Sequence, residues 1–165
     1  MPFDIITVTP TLSTNEYADN EVLFISTEIK LPHNKCKLVS LNAIWNDSEA
    51  AAKEMIVMFF KENTHALGTV ANGAPSISGA QMATNVYLGA ARLVNTAAGE
   101  AALGTPSLLA GQHLNNAGAS TANLPKLVLA EGSTKNTCYI QGLYEVGAAD
   151  SFAADSLVIT LGVEY

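Results

Sequence analysis

Lys35-Cys36-Lys37-Leu38-Val39-Ser40-Leu41-Asn42-Ala43-Ile44-Trp45 is the stretch that decides how the rest of the chain is read. Its period is two. Val39, Leu41, Ala43 and Trp45 are expected on one face, with Lys37, Ser40 and Asn42 mostly on the other. That alternation predicts a long strand with one buried side. Pro32-His33-Asn34 precedes it and the acidic turn Asn46-Asp47-Ser48-Glu49 follows, so both ends are marked by turn chemistry.

On either side, short runs rich in β-branched and aromatic residues repeat the signal. Strands are expected over 4–8, 22–29, 54–61, 86–94, 126–130, 136–146 and 157–164. The run from Met55 to Phe60 is apolar on both faces, as a strand is when a sheet covers one side and something else the other. Cys138, Ile140, Tyr144 and Val146 share a face, and Leu157, Ile159, Leu161 and Val163 alternate with Thr160 and Glu164. Helix signals are few. Ser13 and Glu16 have capping-box spacing, which allows one helical turn within Thr11–Asn20, and Ser78 as N-cap opens a short helix ending near Asn85. The expected fold is all-β: an antiparallel β-sandwich or jelly roll of about eight strands with one short helix, a single domain over residues 1–165.

The chain has 165 residues, a net charge of −7, 48% hydrophobic residues and only 14% charged ones, against about 25% in ordinary soluble domains. Eight basic residues face fifteen acids, and Arg92 is the sole arginine. This argues against nucleic-acid binding, which needs clustered cations that release counterions. Five cations (Lys30, Lys35, Lys37, Lys53, Lys61) fall in the first 61 residues. They read as solvated strand edges that discourage edge pairing, or as a local basic patch facing an acidic neighbour. No run approaches the roughly 18 to 20 apolar residues of a membrane helix. Met-Pro-Phe-Asp lacks the basic start and apolar core of a signal peptide, so folding in a cytosol is expected. Cys36 and Cys138 lie too far apart in sequence for a zinc pair or a redox Cys-x-x-Cys. They are read as two small buried hydrophobes, with a disulfide as the alternative.

Residues 95–124 break the pattern, being rich in Ala, Gly, Asn, Ser and Thr with Glu100 as the only charge. Structureless loops of that length are uncommon in compact domains. Leu103, Leu108, Leu109 and Leu114 nonetheless have apolar surface to hide. The segment is read as a long loop with a short helix folded over its own sandwich, or as an arm that orders on a neighbouring subunit.

Chemistry is harder to find. His33, His65 and His113 lack ligand spacing. Ser76 and Ser78 do not form a Gly-x-Ser-x-Gly elbow. Asp47 with Glu49 is too little for a calcium loop. Asp150 and Asp155 read as solubilising, and no glycine pattern resembles a phosphate loop. No catalytic, cofactor or metal site is expected, and the chain reads as non-enzymatic.

The opening stretch is more specific. Thr9-Pro10-Thr11-Leu12 leads into Ser13-Thr14-Asn15-Glu16-Tyr17-Ala18-Asp19-Asn20-Glu21-Val22-Leu23, then comes the strand ending at Trp45, the turn Asn46-Asp47 and a strand ending Phe59-Phe60-Lys61. This order resembles virion structural proteins of tailed phages, particularly those of marine bacteria and cyanobacteria, which carry a T-x-x-Y-A-x-G stretch. Ser76-Ile77-Ser78 before a short helix and the last strand, 157–162, extend the likeness over most of the chain. Asn20 stands where glycine is usual and tolerates the same left-handed turn; the 95–124 segment is longer than the family pattern.

The resemblance implies a β-sandwich decoration or cement protein of the phage head, assembled in the bacterial host cytoplasm and located in the virion. Its implied partners are the major capsid protein and copies of itself, a homo-oligomer such as a trimer, with no nucleic acid and no membrane. Leu12, Tyr17, Leu103, Leu108, Leu109 and Leu114 are the expected subunit contacts. The alternatives are a tail, neck or fibre subunit with the same fold, or a host-glycan-binding module built on exposed aromatics, for which Trp45 looks too buried.

Overall fold

A computed structural model describes residues 2–46, 54–71, 73–93, 100–102, 107–113, 128–131, 135–145 and 151–165, with backbone only for 100–102, 107–113 and 128–131. Among them are ten strands and one helix: β1 (Phe3–Val8), β2 (Val22–Lys30), β3 (Lys35–Trp45), β4 (Met55–Phe60), α1 (Gly79–Thr84), β5 (Tyr87–Leu93), β6 (Glu100–Ala102), β7 (Ser107–His113), β8 (Val128–Glu131), β9 (Thr137–Tyr144) and β10 (Leu157–Glu164). All pairings between these strands are antiparallel. The fold is the expected all-β sandwich.

The strand order is β1-β10-β3-β7-β5-β4-β9-β2, with β6 alongside β7 and β8 alongside β3. One sheet holds β1, β10 and β3; the other holds β5, β4, β9 and β2. β7 joins them. Its residues 107–110 pair with β3 and its residues 111–113 pair with β5, so the strand changes sheets between Ala110 and Gly111. Corners of this kind let two packed sheets share one hydrogen-bonded path. Its far ends, β1 and β2, approach each other across the open side.

Within 95–124, read as a long loop with a short helix or as an arm, the described residues form the strands β6 and β7. Ala110, Gly111 and Gln112 are weak strand formers; they are held in β7 by pairing with β3 at Ala110 and with β5 at Gly111 and Gln112. The rest of that segment, with Leu103 and Leu114, lies outside the described residues.

Between the sheets lies the main core, where Tyr17, Trp45, Tyr144 and Phe152 form an aromatic cluster with ring centroids 4.7–6.2 Å apart. Such pairs add about 0.5–1.5 kcal/mol each beyond the area they bury. β3 reaches this core by a route the alternation misses. Cys36 and Leu38 are buried, then Leu41, Ala43 and Trp45, and Val39 is only half-buried. The register against β10 shifts here, Gly162 pairing with Ser40 and Val163 with Leu38, so Val39 is the extra residue of a bulge. β2 is bulged as well, and Val22, Leu23 and Phe24 are buried consecutively.

The outer face of β4 and β9 is covered too. Val22, Phe60 and Leu67 form a second small core with Met58, Val70, Ile77 and Met82 packed on it. This is the second covering that the two-sided apolar run of β4 required. The covering segment contains α1, whose Ser78 makes the expected capping box with Gln81. Two buried amides hold it down. Asn85 Oδ1 accepts from the Thr64 and His65 backbone N–H groups at 3.1 and 2.9 Å, and its Nδ2 donates to the His65 carbonyl at 2.6 Å. Gln141 Oε1 accepts from the Leu67 N–H at 2.8 Å.

Candidate interaction surface

The opposite outer face, that of β1, β10 and β3, is built from register. Ile5 pairs with Gly162 and Gly162 with Ser40; Thr7 pairs with Thr160 and Thr160 with Asn42; Val158 pairs with Ile44. Directly opposed residues in an antiparallel sheet share a face, so these positions form three successive cross-strand rows. None is charged. Ile5, Thr7 and Asn42 are exposed, and Ser40, Ile44, Val158 and Thr160 are half-exposed. Phe3, 56% exposed, lies over Gly162, where any Cβ would stand 2.9 Å from the ring and collide with Ser40 Oγ. Gly162 is therefore what lets the Phe3 ring and Ser40 come this close to the strand.

Charge begins at the rim. Lys37 pairs in register with Glu164, and Lys35 with Glu131. These two of the five early cations have an acid as cross-strand neighbour, whereas Lys30 pairs with Thr137. Arg92 is held on the other sheet: Nε donates to Glu145 at 2.5 Å and a terminal nitrogen to Glu54 at 3.1 Å. That fork ties together the ends of β4, β5 and β9.

The expected contact residues are distributed otherwise. Leu12 is 3% exposed and Tyr17 fully buried, both within this chain's own core. The Leu12 N–H donates to the Ala154 carbonyl, and Tyr17 Oη accepts from the Ser13 N–H at 2.6 Å while donating to the Leu23 carbonyl at 3.0 Å. These contacts stitch 11–23 to the sandwich, and both side chains sit inside the chain's own core. The helical turn expected there does not form, because Ser13 Oγ instead accepts from the Asn15 N–H in a local turn. Asn20 does take the left-handed conformation, with φ of 63°. Leu108 and Leu109 lie on β7 as register partners of Ile44 and Ala43.

Cys36 and Cys138 are buried free thiols. Burial, with Cys36 nearby, pushes the Cys138 thiol up to about 12, and burial raises Cys36 as well. Nucleophilic thiols have lowered pKa values, so neither is activated. His33 stacks on Tyr165, and its Nδ1 accepts from the Lys35 N–H. Among the described residues no group of three His, Cys, Asp or Glu side chains is placed to hold a metal, and no helix is long and apolar enough to cross a membrane. Trp45 is 2% exposed and cannot serve as a glycan platform.

The sequence signal for the uncharged face is the outward positions in the middle of three strands, with charge only at the Lys37 and Glu164 end. Their adjacency is not local information, since β1, β3 and β10 come from opposite ends of the chain. No family model matches the chain, and no curated protein matches it. Among solved structures it is similar to a chain from Desmodium yellow mottle tymovirus, with 13% identity and a TM-score of 0.30, over 98% of this chain and 85% of that one. Likeness at that level carries no weight for function.

Proposed function

We propose that the chain is a non-enzymatic structural subunit of a tailed-phage particle, a head decoration protein that seats on the major capsid protein. The observation that carries this reading is the uncharged outer face of β1, β10 and β3 on a chain of net charge −7. A subunit held permanently against neighbours benefits from such a face, since apolar and hydroxyl contacts do not weaken as salt screens charges. The likeness of residues 9–23 and of the strands that follow to phage virion proteins supports the same role.

The test is mass spectrometry of purified particles with a reconstruction of the shell. The expected result is the chain in fixed ratio to the major capsid protein, at positions that follow shell symmetry. Density on the tail, neck or a fibre would move the subunit there. Absence from purified particles would end the reading.

A further inference from the structure

We infer that Cys36 and Cys138 form an oxidative cross-linking site: in a medium rich in disulfide oxidants they join in one bond that ties β3 to β9 across the core. The observation behind it is placement. Both side chains are buried in the one core between the sheets, Cys36 from β3 and Cys138 from β9. Period two puts each on the inward face of its strand, with buried Leu38 two residues on from Cys36 and buried Ile140 two on from Cys138.

The two also stand at the same end of the sandwich. Ile29, near the end of β2, is the register partner of Cys138. Residues 31–34 then carry the chain to β3, where Cys36 is the second residue. The Leu31 N–H donates to the Asn136 carbonyl at 2.8 Å, and β8, whose Ala130 is the register partner of Cys36, approaches β9. This end of the two sheets is thus laced together around the pair. A disulfide can span two packed sheets, as it does between the sheets of immunoglobulin-type sandwiches. The Cys36 thiol is close enough to push the Cys138 thiol up beyond what burial alone does.

Cys36 Sγ donates to the His33 carbonyl at 3.0 Å, and His33 is exposed. Opening of that turn presents Cys36 first. Its thiolate attacks a small disulfide such as oxidised glutathione and releases one glutathione thiolate; the Cys138 thiolate then displaces the second. The pair gives up two protons and two electrons, and the oxidant leaves as two thiols. Buried thiols of raised pKa exchange slowly, so the step proceeds through opening rather than in the closed fold. The bond would join residues 102 positions apart, and long loops are where a disulfide constrains the unfolded chain most. This goes beyond the decoration role and does not depend on it.

The test starts from the unfolded chain, where both thiols are accessible. The full chain in urea is equilibrated with a fixed mixture of reduced and oxidised glutathione, diluted into native buffer holding the same mixture, quenched with acid and read by intact mass and peptide mapping. The expected result is an intramolecular Cys36–Cys138 disulfide whose ratio to the dithiol is at least tenfold higher after refolding than in urea. A tenfold rise corresponds to a melting temperature roughly 3 °C or more above that of the reduced chain, reversed by dithiothreitol. Cys36→Ala and Cys138→Ala should each lose the bond and the redox dependence of melting while remaining folded by circular dichroism. A ratio that does not rise on refolding, glutathione adducts or intermolecular dimers in place of the internal bond, or an oxidised chain that melts no higher than the reduced one would each overturn the inference.

Discussion

Asn85 offers the sharpest test of how the second core is held. Its side chain takes three backbone hydrogen bonds, from the Thr64 and His65 N–H groups and to the His65 carbonyl, and it is fully buried. Asn85→Ala removes all three while Gln141 keeps a single 3.3 Å bond to the same carbonyl. Two N–H groups under the covering segment lose their acceptor, and each such loss costs about 1–3 kcal/mol. Allowing water to reach part of the gap, the expected loss is about 3 kcal/mol. For a chain of this size that lowers the melting temperature by roughly 6–12 °C.

Asn85→Asp separates the donor from the acceptor. The acceptor for Thr64 and His65 survives, but a carboxylate oxygen then faces the His65 carbonyl. Burial raises this carboxyl above its unfolded value of about 3.9. Stability is therefore greatest below about pH 4, where the protonated acid donates to His65, and declines as pH rises through the folded pKa. Urea denaturation of both variants between pH 3 and 8, with amide exchange at Thr64 and His65, is the assay. If Asn85→Ala lies within about 0.5 kcal/mol of wild type, or Asn85→Asp shows the pH dependence of wild type, the amide does not pin the segment.

Three further outcomes follow from the packing. Gly142→Ala places a Cβ 2.6 Å from Phe24 Cδ1 and Cζ and closer still to Cε1, on a ring with no free space, and should cost about 1–3 kcal/mol in urea denaturation; Gly142→Ala combined with Phe24→Leu should lose less than the two single changes together. Arg92→Ala leaves Glu54 and Glu145 as close carboxylates without the guanidinium between them, and should destabilise by about 1–3 kcal/mol, more than Arg92→Lys, which keeps the charge but not the fork. The thiol of Cys138 rises from 9.0 to about 12 in the fold, so its contribution is complete below pH 9 and is lost as pH climbs toward 12; Tyr17 is raised by burial too, and Cys138→Ala should flatten the alkaline limb of the stability curve.

Local features were legible in the sequence and long-range ones were not. Ser78 and Gln81 announce their helix because a capping box is complete within four residues. The inward residues of β10 are equally plain, since Leu157, Ile159, Leu161 and Val163 obey period two through the whole strand. Val39 misleads because its bulge is dictated by the partner strand at Gly162. Tyr17 looks like a surface aromatic in a polar stretch; its burial depends on Phe152, far away in sequence. β7 hides for a related reason, as its poor strand formers become a strand by pairing with β3 and then β5, both distant in sequence. The candidate face was visible only in fragments, and assembling it needed the adjacency of β1, β10 and β3.

The shared strand β7 gives the sandwich a spine, and the approach of β1 and β2 gives it a seam. Like a folded sheet of card, the two layers cannot slide past one another without tearing the crease at Ala110 and Gly111. Among the described residues the opposite side, where β1 approaches β2, has no strand shared between the sheets. A tangential load on a bound subunit would therefore be met by hydrogen bonds in shear along the spine, and any yielding would begin where β1 meets β2. The chain's first strand, with Phe3 and Ile5 on its outer side, lies beside that seam, so a neighbour seated on the face would also clamp the seam.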